Sequence, residues 1–380
     1  MKRLRRSWSG AILGFSLLLL AACHDEIREE EDVEAAAEPT IEELGLRLAA
    51  ALGAGLDLTG LSQAEIDRVA RGSYLVNGAS ICNTCHTTSA GYLAGGAQFP
   101  LPFPDVQGLT SVVSRNLTPD PTTGLQLTEE QFIEALRTGK DFTDSTAATP
   151  QQMIVMPWHV FRFMSRDDLS AIYAFLRRIR PVTNQVRQTF TPPFPFPPVP
   201  FPPLGDGDPV NDPNNAMRGG GILLFFSAGP EHESFVTQVA NAISALPASQ
   251  LLKVGRGSYL VNALADCNSC HTEPFGGLIA GTVNVNTARY LAGGVNLGAF
   301  FGFDLFSRNL TPDPTTGLFL TEEQFIQTLR FGADFRRPFA SLRIEPHFPT
   351  KFVFTLDDLK AIYAYLRVIP PVQNSVTIVP

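Results

Sequence analysis

The sequence predicts a mainly α chain built from two like helical units in tandem. Three observations carry that expectation. Long segments recur: Arg71-Gly-Ser-Tyr-Leu-Val-Asn77 as Arg256-Gly-Ser-Tyr-Leu-Val-Asn262, Tyr92-Leu-Ala-Gly-Gly96 as Tyr290-Leu-Ala-Gly-Gly294, and Ser114–Ile133 as Ser307–Ile326 with a single change, Gln126 to Phe319. Apolar residues follow the 3.6-residue period of amphipathic helices in both copies. Strand-like alternation is scarce. Two copies make a tandem pair, since a solenoid needs three or more repeats.

Along the chain, a first helix is expected from about Ser62 into Val76, with Ile66, Val69 and Ala70 on one face. Thr128-Glu-Glu-Gln131 and Thr321-Glu-Glu-Gln324 are capping boxes, in which the Thr hydroxyl and the Gln amide satisfy free amides of the first turn. Phe132, Ile133 and Leu136 supply the buried stripe of that helix, and Gly139 its stop. The last helix starts at Ser165, carries Asp168 at its third position and turns Leu169, Ile172, Tyr173 and Leu176 inward. Pro181 prevents its continuation. Asp167–Arg177 recurs as Asp357–Arg367. Between the copies, Thr191–Pro203 alternates Pro with Phe and is expected as stiff polyproline II, its phenylalanines packing along the protein's own surface. One further helix is expected near Ser234–Leu246. The boundaries read as a leader over 1–22, an acidic tether over 23–61, units over 62–181 and 248–371, and a Pro-rich linker over 182–247.

Composition narrows the function. Of 380 residues, 17% are charged and 44% hydrophobic, which excludes a disordered chain. A net charge of −8 argues against a nucleic-acid partner, which selects a basic face. Five cysteines are too few for a disulfide scaffold of this length.

The first cysteine reads as targeting. Lys2, Arg3, Arg5 and Arg6 precede an apolar run from Ala11 to Ala22, too short for the ~20 residues that span a bilayer as a helix. It ends Leu20-Ala21-Ala22-Cys23, which resembles the lipobox of bacterial lipoproteins. That resemblance implies acylation of Cys23, a stable multi-chain membrane anchor and a periplasm-facing place in the bacterial envelope. His24, where an Asp would retain the protein at the inner membrane, favours the outer one. From Asp25 to Glu43 there are ten acids and one Arg, the composition of a solvated, self-repelling tether.

The other four cysteines form Cys82-Asn-Thr-Cys85-His86 and Cys267-Asn-Ser-Cys270-His271, two CxxCH motifs at matching positions of the repeat. One helical turn brings two thiols under the two vinyl groups of a porphyrin and points the next imidazole at the iron, so both read as covalent haem c attachment sites. A thioredoxin-like pair would need a βαβ context. A structural zinc site would need its second ligand pair close by, whereas these pairs lie in opposite halves of the chain.

Each unit resembles a class I cytochrome c domain, with a helix leading into CxxCH and a last helix of the Asp-Leu-x-Ala-Ile-Tyr-Ala type. That family crosses its terminal helices through a small residue and an aromatic, roles implied for Gly72 with Tyr173 and Gly257 with Tyr363. Asn116–Gly124 and Asn309–Gly317 resemble, more particularly, segments of the cytochrome c subunits of membrane-bound bacterial alcohol and gluconate-type dehydrogenases. Those subunits usually carry three haems; this chain has two motifs.

The family places a sixth ligand, Met-Pro, in the loop before the last helix. This implies Met156 of Met156-Pro157-Trp158, with Met153 and Met164 as alternatives. The second unit has no Met. Its loop reads Ile344-Glu-Pro-His347, so His347 is the nearest strong donor; water, an empty position, His232 or Lys351 stay open. His24, His159 and His232 are expected as solvated surface groups. The resemblance implies single-electron transfer between a periplasmic dehydrogenase or quinol-linked donor and a downstream redox protein. A di-haem peroxidase or thiosulfate dehydrogenase reacting at the Met-less site is the alternative.

Overall fold

The computed structural model describes residues 37–100, 111–142, 151–153, 155–186, 230–273, 286–298, 305–333, 335 and 353–376. The leader, Cys23, the Pro/Phe segment and His347 lie outside the described residues. The fold is mainly α, and residues 39–380 form one compact unit.

In the first half, α1 (Ile41–Ala51) packs on α2 (Gln63–Tyr74). The sequence reading placed residues 41–51 in the tether; they form a helix instead. Thr40 and Glu43 close a capping box, and a small face of Gly45 and Ala49 lets α1 lie on α2. The approach is close: a Cβ at Gly45 would sit 1.9 Å from the Ala70 carbonyl oxygen. α2 begins at the Ser62 cap as expected and runs into a wide π turn over Leu75–Ala79, closed by Ser80 N–H donating to the Leu75 carbonyl at 2.8 Å.

Next come α3 (Cys82–His86), a short antiparallel ribbon β1–β2 (Gln98–Pro100, Ser111–Val113) and α4 (Glu129–Thr138). α4 has its capping box, its buried Phe132, Ile133 and Leu136, and a left-handed Gly139 at its end, as the pattern required. A second ribbon, β3–β4 (Lys140–Asp141, Gln151–Gln152), precedes the short α5 (Trp158–Phe161) and α6 (Arg166–Leu176).

Among the described residues, the second half repeats the order of the longer helices, the π turn and the CxxCH helix, without the ribbons or a counterpart of α5. α7 (Pro230–Ser244) leads in, followed by α8 (Ala248–Tyr259), a second π turn (Leu260–Leu264), α9 (Cys267–His271), α10 (Glu322–Phe331) and α11 (Leu356–Leu366). In each half the first and last long helices cross where a glycine removes the side chain. A Cβ at Gly72 would meet the Ala171 carbonyl oxygen at 2.0 Å, and one at Gly257 the Ala361 oxygen at 1.9 Å. The aromatic at each crossing is Phe175 or Tyr365, not Tyr173 or Tyr363. Two residues further along a helix is about 200° around it, so Tyr173 lies elsewhere, its ring tilted at 45° against Phe132 and its hydroxyl donating to the Leu127 carbonyl at 2.9 Å.

The halves share one core. α5 packs on the second π turn, and Val353 N–H donates to the Gly78 carbonyl of the first at 3.1 Å.

Candidate functional site

The CxxCH turn is held in place by features that both halves possess. Each is preceded by a residue in the left-handed region: Ile81 at φ 42° and Asp266 at φ 49°. For a β-branched residue that conformation costs about 1–2 kcal/mol and persists only where the surroundings dictate it. Here the π turn on one side and the cysteine turn on the other dictate it. The Tyr92–Gly96 loop then folds back over the end of α3. Gly95 N–H donates to the His86 carbonyl at 2.8 Å, and Leu93 N–H to the Thr87 hydroxyl at 3.1 Å. Gly293 and Leu291 make the same bonds to His271 and Thr272. Only glycine suits position 95, which combines φ +72° with the Arg115 carbonyl 2.5 Å from where a Cβ would stand.

His86 is buried, and its Nδ1 lies 2.8 Å from the Arg115 carbonyl oxygen; His271 Nδ1 lies 2.7 Å from that of Arg308. A carbonyl can only accept, so Nδ1 carries the proton and the lone pair resides on Nε2. That tautomer, oriented by a main-chain acceptor, is the form in which histidine ligates a metal. Burial lowers the pKa of His86, outweighing this bond, and keeps the ring neutral.

The Arg115 carbonyl is itself anchored. Asn116 donates to the Val182 carbonyl at 2.8 Å, Thr118 bonds both Asn116 and Val182, and Asp120 accepts from Thr122, Thr123 and Thr183. Asn309 and Thr311 tie down Val372 in the same manner, while Asp313 accepts from Thr315 and Thr316. The near-identity of Ser114–Ile133 and Ser307–Ile326 thus has a structural reason: this polar knot joins the carbonyl behind each histidine to the chain following each last helix.

No disulfide joins the four cysteines among the described residues. Burial pushes Cys82 and Cys267 up to about 12. Cys82 and Cys267 lie half-buried against the hydrophobic core, and so does Met156. Met156 precedes α5, its carbonyl accepting from Trp158 N–H at 2.7 Å. Trp158 is fixed against Gly139 and donates through Nε1 to the Met153 carbonyl at 2.9 Å. Met164 is 1% exposed and is a core residue. His159, expected at the surface, is buried beside Arg162, and burial lowers its pKa to about 4. The reason is α5, whose far side is covered by the second half.

The donor set fits a covalently attached haem in each half: two thiols on one turn, followed by an imidazole of ligating tautomer. A cleft of about 500 Å³ beside the second site is lined by Arg308, Phe319, Leu320, Gln324 and Phe335, and by none of the cysteines or histidines. Among the described residues no helix is long and apolar enough to cross a membrane.

No family model matches the chain. It is 28% identical over 330 residues, 85% of its length, to the cytochrome c subunit of quinone-type alcohol dehydrogenase from Gluconacetobacter polyoxogenes, covering 60% of that protein. It is 27% identical over 312 residues to the fructose dehydrogenase cytochrome subunit of Gluconobacter japonicus (81% of this chain, 54% of the relative). Over 214 residues it is 28% identical to the gluconate 2-dehydrogenase cytochrome c subunit of Pantoea cypripedii (55% and 39%). The likeness is therefore to cytochrome c subunits, a class named for covalently bound haem. The chain spans about three-fifths of the length of the first of these relatives.

Proposed function

We propose that the chain is a di-haem c-type cytochrome of the bacterial envelope, anchored through lipid on Cys23, that carries single electrons from a periplasmic dehydrogenase or quinol-linked donor to a downstream redox protein. Bound haem would supply an iron that cycles between two oxidation states. Cys82, Cys85, Cys267 and Cys270 attach the two groups, and His86 and His271 ligate them through Nε2. Met156 and His347 complete the two sites. Histidine-plus-methionine ligation at the first site raises its potential relative to a bis-histidine second site, so electrons enter at the second half and leave from the first. The chain's own contribution is to orient both imidazoles, exclude water with the shared core and hold the two sites close.

The observation that carries this reading is the repeated CxxCH turn with its histidine Nδ1 committed to a backbone carbonyl. Relatives named as subunits of alcohol, fructose and gluconate dehydrogenases support a dehydrogenase as the donor. Haem stoichiometry by pyridine haemochrome, thioether mapping by mass spectrometry and potentiometry of the purified protein test it. Fewer than two covalent haems, or a second-site potential above the first, refutes it.

A second reading has one observation in its favour: no Met follows Met217, so the second site lacks the sulfur ligand of the first. An open second site would make the chain a di-haem peroxidase or thiosulfate dehydrogenase. A high-spin signal in the oxidised EPR spectrum with peroxide turnover selects that reading; a wholly low-spin spectrum eliminates it.

A further inference from the structure

The repeated Arg-Gly-Ser-Tyr motif has a use that haem attachment does not explain. Tyr74 and Tyr259 end their helices fully buried, and each hydroxyl reaches into the opposite half. Tyr259 donates to Asp168 Oδ2 at 2.6 Å and accepts from Ser165 N–H at 2.9 Å. Tyr74 donates to Asp358 and accepts from the Thr355 amide. The same carboxylates are gripped from their own half: Arg71 Nε to Asp168 Oδ1 at 2.6 Å, and Arg256 to both oxygens of Asp358 at 2.7 and 2.8 Å. The two bridges are related by the repeat, and each runs from arginine to carboxylate to the other half's tyrosine.

What the tyrosines hold is specific. Ser165 and Thr355 are the N-caps of α6 and α11, and Ser165 directly follows the loop in which the sixth ligand of the first site is assigned. In the first half the chain runs from Met156 through α5 straight to Ser165, and α5 rests on the π turn that follows Tyr259. A loop so short, tied at its downstream end by a group from the other half, has its position set from there. Burial raises both tyrosine hydroxyls well above their ordinary pKa, so they remain donors throughout the neutral range.

Resting on the di-haem reading above, we infer that Tyr259 is a positioning residue in trans: it sets the Met156 loop, and thereby the redox potential, of the haem in the half to which it does not belong. The first half then does not have its working potential alone.

The test uses the full-length holoprotein with Tyr259→Phe and Tyr74→Phe, which keep the rings and remove only the hydroxyls. Haem content is measured first. Two haems per chain keep the functional reading intact, whereas a chain without thioether-linked haem refutes that reading separately. Spectropotentiometry then follows each site. Tyr259→Phe is expected to lower the Met156-side potential by about 59 mV, the one-electron equivalent of a tenfold weakening of the reduced-state preference. The other site stays within error of wild type. Tyr74→Phe, which leaves Ser165 untouched, is expected to keep the Met156-side potential within error of wild type. Backbone hydrogen exchange gives a readout independent of haem, with faster exchange at Ser165 in the first variant and at Thr355 in the second. Shifts confined to the tyrosine's own half, equal shifts at both sites, or unchanged potentials with unchanged exchange each overturn the inference. If Tyr259→Phe does not fold, Asp168→Asn, which weakens the same bridge, decides.

Discussion

Replacing Gly72 by alanine sets two opposed effects against each other, and the structure says which prevails. The added Cβ would lie 2.0 Å from the Ala171 carbonyl oxygen and 2.8 Å from Phe175 Cβ. Comfortable contact begins near 3.5 Å, so α2 and α6 must part by about 1.5 Å along their crossing. Neither obstacle is the far end of a flexible side chain, and a close-packed interior offers nowhere to relax. Overpacking of this kind costs about 1–3 kcal/mol, with the upper end expected against backbone. Alanine returns about 1 kcal/mol of helix propensity relative to glycine. The net is a loss of about 2 kcal/mol, roughly 30-fold in the folding equilibrium. Urea denaturation followed by far-UV circular dichroism measures it. Gly257→Ala, with its Cβ 1.9 Å from the Ala361 oxygen, is expected to lose as much. Gly53→Ala is the control: nothing lies within 4 Å and only its φ of +67° opposes the change. A Gly72→Ala protein as stable as wild type would show that the helices do not cross at this residue.

Met156→Ala is expected to leave two covalent haems, give one of them a high-spin oxidised spectrum and lower the first-site potential, as read by EPR and potentiometry. Hydrogen bonds from Thr183, Thr123 and Thr122 hold the Asp120 carboxylate well below the usual range despite opposing desolvation. The stability it contributes is complete above its unfolded pKa near 3.9 and is lost as pH falls below that value. Thr183→Val is therefore less stable than wild type at pH 7, with the gap closing toward pH 2 in parallel urea titrations. Arg256→Ala strands the 5%-exposed Asp358 and is expected to cost about 3–5 kcal/mol by the same assay. Arg68→Ala, whose partner Glu129 and itself are 33% and 47% exposed, costs at most about 1 kcal/mol.

The two CxxCH turns were legible because the motif is local: five consecutive residues place both thiols and the imidazole on one short helix. The capping boxes of α4 and α10 were legible for the same reason. What escaped depended on contacts remote in sequence. α1 is the exception: Ile41, Leu44 and Leu48 stand at helical spacing behind a Thr40–Glu43 capping box, and only the acidic run leading into them hid that signal. His159 is polar, and nothing around it announces that another half will cover it. Tyr173 and Phe175 are both aromatic on the same helix, and only the crossing geometry picks Phe175. The carbonyls of Arg115 and Arg308 have no sequence signature of their own, although the repetition of Arg-Asn-Leu-Thr in both copies marked the place. The π turns follow the same residues an ordinary helix would use, so periodicity could not reveal them.

The tyrosine bridges also bear on how such a protein comes into being. Tyr74 and its acceptor Asp358 are 284 residues apart in the chain. At about 5–20 residues per second, synthesis alone separates them by on the order of tens of seconds. The bridge from Arg71 through Asp168 to Tyr259 needs nothing beyond α8, whereas the bridge to Tyr74 must wait for α11. The order of residues along the chain thereby becomes an order of events: the two halves are tied first at Asp168 and last at Asp358.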